Sequence, residues 1–153
     1  MIMAETDLLE AYIEVYFKAF KYVGDLISEP MKADGISFEQ FLIMRDLAAG
    51  QELGLSEIAK KRGVTRAAIS RQIKTLLGKD TITQERDAVD RRRLYLRLTD
   101  HGEEVTARIN KVIHKRFYDW VDTLGEQDAH ELLQIMRRVG ETIIAKDKAE
   151  RGE

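Results

Sequence analysis

The strongest constraint on this chain is a spacing of three residues. Ala59 is followed by Gly63 four positions later, and by Ile69 six positions after that. Two short helices joined by a tight turn must cross closely, and this spacing supplies what the crossing needs. Ala59 is small enough to sit at the contact. Gly63 can take the left-handed conformation that ends a helix, because it has no Cβ. Val64 and Ile69 plug the angle between the helices. The caps agree: Ser56, followed by Glu57, opens the first helix, and Thr65 opens a second from Arg66 to about Gly78. The segment reads as a helix-turn-helix.

The second helix has two faces. Ile69, Ile73, Leu76 and Leu77 recur at helical spacing and point to a core. Arg66, Ala67, Ser70, Arg71 and Lys74 share the opposite side, which carries no carboxylate. Small residues there let a backbone approach base edges. Arg can chelate guanine, and Ser or Lys can hold phosphate. An ordinary solvated face has the same composition, so the helix alone does not decide. The next segment adds weight. Ile82 to Glu85 and Leu94 to Leu98 read as short strands around a loop, Arg86 to Arg93, that holds four Arg and two Asp. Such a tip is poor packing material and a good probe of a minor groove. Asp90 is placed to pair with a neighbouring Arg. A helix-turn-helix followed by a basic hairpin is a winged helix.

Charge is distributed to match. From Lys60 to Arg97 there are twelve Lys or Arg and four Asp or Glu, a net +8 in a chain whose total is −2. One basic block in an otherwise acidic protein is the footprint of a polyanion ligand.

The order Ser-Glu-Ile-Ala, Gly-Val-Thr-Arg, Ile-Ser-Arg, Asp-Arg-Arg and Leu-Thr-Asp-His-Gly, running from Ser56 to Gly102, resembles the MarR family of bacterial transcription regulators. The resemblance covers nearly the whole chain. It implies a recognition helix in the major groove, with Arg66, Ala67, Ser70 and Arg71 at the bases. It also implies a wing Arg in the minor groove, Arg92, following Asp90. Thr65, Lys74, Arg86 and Arg91 complete the expected DNA-contacting set. Two positions depart from the family pattern. Asp80-Thr81 replaces Gly-Leu after the recognition helix, where Asp tolerates a left-handed backbone better than most residues. Ala88 replaces a frequent Pro, which predicts a looser wing before DNA binds.

The flanks read as helices. Glu5 to about Ser28 carries an apolar stripe through Leu8, Leu9, Tyr12, Ile13, Tyr16, Phe17 and Phe20, and Pro30 is expected to end it. Ser37 and Gln40 form a capping box for a helix through Ala49, with Phe38, Phe41, Leu42, Met44 and Leu47 mostly inward. Gln51 to Leu55 could add a third strand beside the wing. Thr99 caps a long helix to about Thr123, Gly125 breaks it, and a last helix runs to about Lys146. The fold class is mainly α with a small β-wing. It reads as one domain, with a DNA-binding lobe at about 52–99 and dimerisation helices at about 5–29 and 100–147. Two long amphipathic ends with unmatched apolar surface predict a two-fold homodimer on double-stranded DNA.

Other classes fare worse. At 44% hydrophobic and 34% charged, the composition is that of an ordinary globular domain. It has no long apolar run or signal-like segment, which predicts a cytoplasmic protein away from membranes. With no Cys, thiol-based sensing is excluded. His101, His114 and His130 form no metal-binding spacing, and His114 reads as a partly buried structural residue. No catalytic constellation is found, so no enzyme and no cofactor are expected. A small aromatic ligand remains open, lined by Tyr12, Tyr16, Phe20, Phe41, Met44 and Trp120 where the first, second and long helices meet the lobe. A different class of function also remains: a winged-helix interaction module whose basic block docks an acidic partner protein.

Overall fold

Ser37 opens α3 (Phe38–Ala48) as the capping box requires, accepting from the Gln40 amide at 3.1 Å while Gln40 Oε1 accepts from the Ser37 amide at 3.0 Å. Gln40 Nε2 also donates to Gln72 Oε1 at 2.7 Å, which ties α3 to the helix that follows the turn. In this computed structural model, which describes residues 5–152 with side chains from Asp7, α3 lies at the centre of the first of two compact units, Met1–Val112 and Ile113–Glu153. Phe41, Ile43, Met44 and Leu47 are buried, whereas Phe38, expected inward, is exposed.

Before α3, the backbone is helical from α1 (Glu5–Val15) through a π-wound segment, Tyr16–Phe20, into α2 (Lys21–Lys32). Pro30 therefore does not end the helix. It lacks an N–H to return to the preceding turn, but Met31 beside it is fully buried and accepts from the Ile36 amide at 3.1 Å. That anchorage carries the helix two residues further.

The turn motif forms as α4 (Leu55–Arg62) and α5 (Arg66–Gly78). Gly63 joins them at φ 65°. Thr65 Oγ1 accepts from the Ala68 amide at 3.1 Å. The cap of α4 is Gly54, not Ser56, because the extended piece before it reaches the hairpin and the helix starts as soon as it is released. Ile58, Ala59, Ile69, Ile73 and Leu76 are buried together with Ile82 and Leu96 of the wing. Each large apolar side chain contributes about 1.5–3 kcal/mol by leaving water. Val64 and Leu77, expected to plug this core, are exposed.

Asp80 takes the left-handed conformation at φ 56°, and buried Thr81 donates its hydroxyl to the Leu76 carbonyl at 2.9 Å. β1 (Ile82–Arg86) and β2 (Leu94–Leu98) then pair antiparallel, with Ile82 opposite Leu98 and Arg86 opposite Leu94. The sheet has two strands; the expected third is reduced to one hydrogen bond, from the Leu96 amide to the Leu53 carbonyl at 3.2 Å.

Thr99 caps α6 (Asp100–Leu124), accepting from the Gly102 amide at 2.9 Å and donating to the Asp80 carbonyl at 2.6 Å. A Cβ at Gly102 would stand 1.9 Å from the Thr81 carbonyl oxygen, so the helix can seat there only without a side chain. Val105, Thr106 and Ile109 are buried next to it.

In the second unit, α6 stops at Gly125, and α7 (Glu126–Arg138) leads through a π-wound segment, Val139–Ile144, into α8 (Ala145–Arg151). The last helical stretch thus outruns its expected end by five residues. No side chain of residues 113–152 is fully buried. Phe117, Leu133, Ile135, Met136, Ile143 and Ile144 are exposed. His114 is exposed too, its ring tilted 43° to that of Tyr118 at 4.5 Å rather than tucked into a core. Among the described residues, no helix is long and apolar enough to cross a membrane.

Candidate nucleic-acid interface

The solvent side of α5 is built as a surface for an anion. Thr65, Arg66, Ala67, Ser70, Arg71 and Lys74 are all exposed, while Ile69, Ile73 and Leu76 hold the helix from behind. Among the described residues, the side chains of Arg66, Arg71 and Lys74 have no ion-pair or hydrogen-bond partner. Their neighbour Arg62 differs. Its guanidinium donates to Asp46 Oδ2 at 2.5 Å and to the Leu42 carbonyl at 3.1 Å, fastening α4 to α3. Cations on this lobe therefore fall into two groups, those spent on holding the fold and those left free.

The wing sorts the same way. Arg86 donates to the Arg91 carbonyl at 2.7 Å and closes the loop. Arg93 pairs with Glu57 of α4 and lies 4.9 Å over the Tyr95 ring, while Arg97 Nε meets Glu85 Oε2 at 2.8 Å. Arg91 and Arg92 point outward. Arg91 has no side-chain partner among the described residues. Arg92 is steered by Asp90, whose Oδ1 accepts from the Arg92 amide at 3.1 Å and lies 3.5 Å from its Nε.

Asp87 shapes this loop. Its Oδ1 accepts from the amides of Val89 at 2.7 Å and Asp90 at 3.2 Å. Its own amide donates to the Arg93 carbonyl at 2.9 Å. Those two amides, with the Tyr95 hydroxyl, hold its carboxyl below the ordinary carboxylate range; burial and the same bond to Asp87 push Tyr95 up. A carboxylate that chelates the turn does here what a Pro at position 88 would do through its ring, so the looser wing expected from Ala88 is closed by hydrogen bonds. Asp87, Arg93 and Glu57 were not among the expected site residues. The Asp-x-Val-Asp turn pattern was a local signal for the first. The 36-residue separation between Arg93 and Glu57 left no local signal for the other two.

The six candidate ligand-lining residues occupy different settings. Phe41 and Met44 fill the core of the first unit. Tyr12, Tyr16 and Phe20 are exposed along α1 and the π-wound segment. Trp120 is half-buried in the second unit, 6.3 Å from the Phe117 ring. Among the described residues, no group of three or more His, Cys, Asp or Glu could hold a metal ion.

Comparison with known proteins bears on the whole arrangement. The MarR family model matches residues 36–94, which span α3, the helix-turn-helix and most of the wing. An uncharacterised HTH-type transcriptional regulator of Staphylococcus aureus is 30% identical over 104 residues, covering 67% of this chain and 68% of the relative. This chain belongs to the MarR family. Members of the MarR family are transcriptional regulators and not enzymes. Two solved structures share the MarR fold. One is the transcriptional repressor CouR bound to a 23-mer DNA duplex, with a TM-score of 0.74 at 23% identity over 92% of this chain and 99% of that one. The other is Staphylococcus aureus MarR in complex with salicylate and kanamycin, with a TM-score of 0.71 at 23% identity over 90% and 93%.

Proposed function

We propose that this MarR-family regulator is a homodimeric repressor that binds a near-palindromic operator. The observation that carries the reading is the row of unpartnered, exposed cations on α5 beside a hairpin whose loop is already shaped. Arg66, Ala67, Ser70 and Arg71 read bases, Thr65 and Lys74 hold phosphate, and the wing residues Arg86, Asp90, Arg91 and Arg92 serve the minor groove. Two copies, joined through the exposed apolar faces of the terminal helices, would set two recognition helices about 34 Å apart, one turn of DNA. Such a regulator works in the cytoplasm, where its DNA is.

Release by a small aromatic ligand is part of the proposal. Of the candidate lining residues, Tyr12, Tyr16 and Phe20 are exposed to such a ligand, and the salicylate bound to the Staphylococcus aureus neighbour supports that ligand class. A ligand can shift the regulator only by its differential affinity for the DNA-competent geometry. The test is a gel shift on the DNA upstream of the gene at two salt concentrations, with and without salicylate. Sequence-selective binding that weakens with salt supports the reading. Weak binding without preference overturns it and favours the basic lobe as a dock for an acidic protein. Binding that ignores salicylate and related phenols removes the ligand part alone.

A further inference from the structure

The wing tip ends in an apolar side chain. Val89 is 95% exposed, more than any other large apolar residue described. It is nevertheless held in place: its amide donates to Asp87 Oδ1, and the loop is closed beneath it by the Asp87–Arg93 and Arg93–Asp90 backbone bonds at 2.9 and 3.0 Å. Asp90, Arg91 and Arg92 follow directly, so two exposed arginines lie two and three residues on, the second of them aimed by Asp90. Neither the fold nor the loop geometry needs a valine there, since it touches no core.

We propose that Val89 is a specificity-determining residue that enters the minor groove at the tip of the wing and rejects guanine at the step it faces. This rests on the DNA-binding reading above. The minor-groove floor of an A·T pair carries only acceptors, whereas a G·C pair adds the guanine N2 amino donor. Two methyl groups pressed on that amino group would strip its water and return no hydrogen bond, which is unfavourable. The acceptors on the floor lose water at either kind of pair, so that cost largely cancels and the guanine amino group is the difference. The arginines supply attraction for the negative groove, and the valine supplies the exclusion.

The test uses the full chain and the duplex it enriches most from a randomised pool. At the wing-facing steps the A·T pairs are replaced by G·C and, separately, by inosine·C, which lacks the N2 amino group. The wild type is expected to bind the A·T and inosine·C duplexes alike and the G·C duplex about tenfold more weakly. Val89→Ser is expected to cut that difference to about twofold while leaving the salt slope unchanged, because no phosphate contact is lost. Arg92→Ala serves as the contrast and should flatten the slope. A Val89→Ser protein that melts like the wild type and keeps the full discrimination overturns the proposal. So does a wild type that binds G·C and A·T flanks equally. A wild type that enriches no sequence overturns the DNA-binding reading itself, and this proposal with it.

Discussion

The winged lobe and the terminal helices use the same kinds of residue in opposite ways. In the lobe, apolar side chains such as Ile58, Ile73 and Leu76 are inside and the unpaired cations are outside. In α1 and its π-wound continuation, Leu9, Tyr12 and Phe17 face solvent, and in the last helices Ile135, Met136 and Ile143 do. Charges on those outer helices pair along their own helix, as Lys18 does with Glu14 and Lys115 with Asp119. The lobe is therefore complete as one chain, with electrostatics left over. The terminal helices carry ion pairs along their own length and leave apolar surface over. In the function proposed above, the first surplus meets a polyanion and the second another apolar helix face.

The largest expected difference between the regions is in stability. Leu76→Ala should cost about 2–5 kcal/mol in urea unfolding, since Leu76 is fully buried. Ile135→Ser should barely touch unfolding of the lobe but shift a monomer–dimer equilibrium in sedimentation. A loss from Ile135→Ser as large as that from Leu76→Ala, at every protein concentration, would break the contrast. Next comes Gly102→Ala, where the new methyl would meet the Thr81 carbonyl. Overpacking of this kind costs about 1–3 kcal/mol in thermal melting.

Binding should follow the division of cations. Arg71→Ala, removing an unpartnered guanidinium, should weaken cognate DNA binding by about 1–3 kcal/mol and relax base preference. Arg97→Ala, whose guanidinium is already held by Glu85, should lose much less by fluorescence anisotropy on the same duplex. Arg92→Ala should matter most where the flank is A·T-rich. The smallest effect concerns Asp87. Its carboxyl titrates below its ordinary value because amides of its own turn donate to it. The loop order it confers is thus complete above the unfolded carboxyl range, about pH 4, and is lost as pH falls through the lower folded value. The Val89 amide shift, followed by NMR against pH, should report that loss, and Asp87→Asn should abolish the titration.

Local chemistry was the legible part of this sequence. Ser37 with Gln40, Thr65, Gly63, Asp80 and Thr99 each satisfy partners that are a few residues away or belong to their own turn, so their roles could be read from order alone. The misplacements share a different cause. Pro30 stays inside a helix because Met31 is buried against the fold. Gly54 takes the cap from Ser56 because the preceding residue reaches the hairpin. Val64 and Leu77 are exposed because periodicity names a face without saying how much of it is covered. The free side of α5 was visible as composition. Which arginines of the wing were free was not, because Glu57 and Tyr95 claim Arg93 through contacts that no periodicity encodes.

The seat of Gly102 against Thr81 leaves no clearance for sliding. With Thr99 bonded to both Asp80 and Thr81, the end of α5 and the beginning of α6 work as one crank, without a hinge between them. A twist applied along the first turns of α6 is expected to reach the exposed cations of α5 as the same twist. Whatever compliance the regulator needs has to be found elsewhere in its frame.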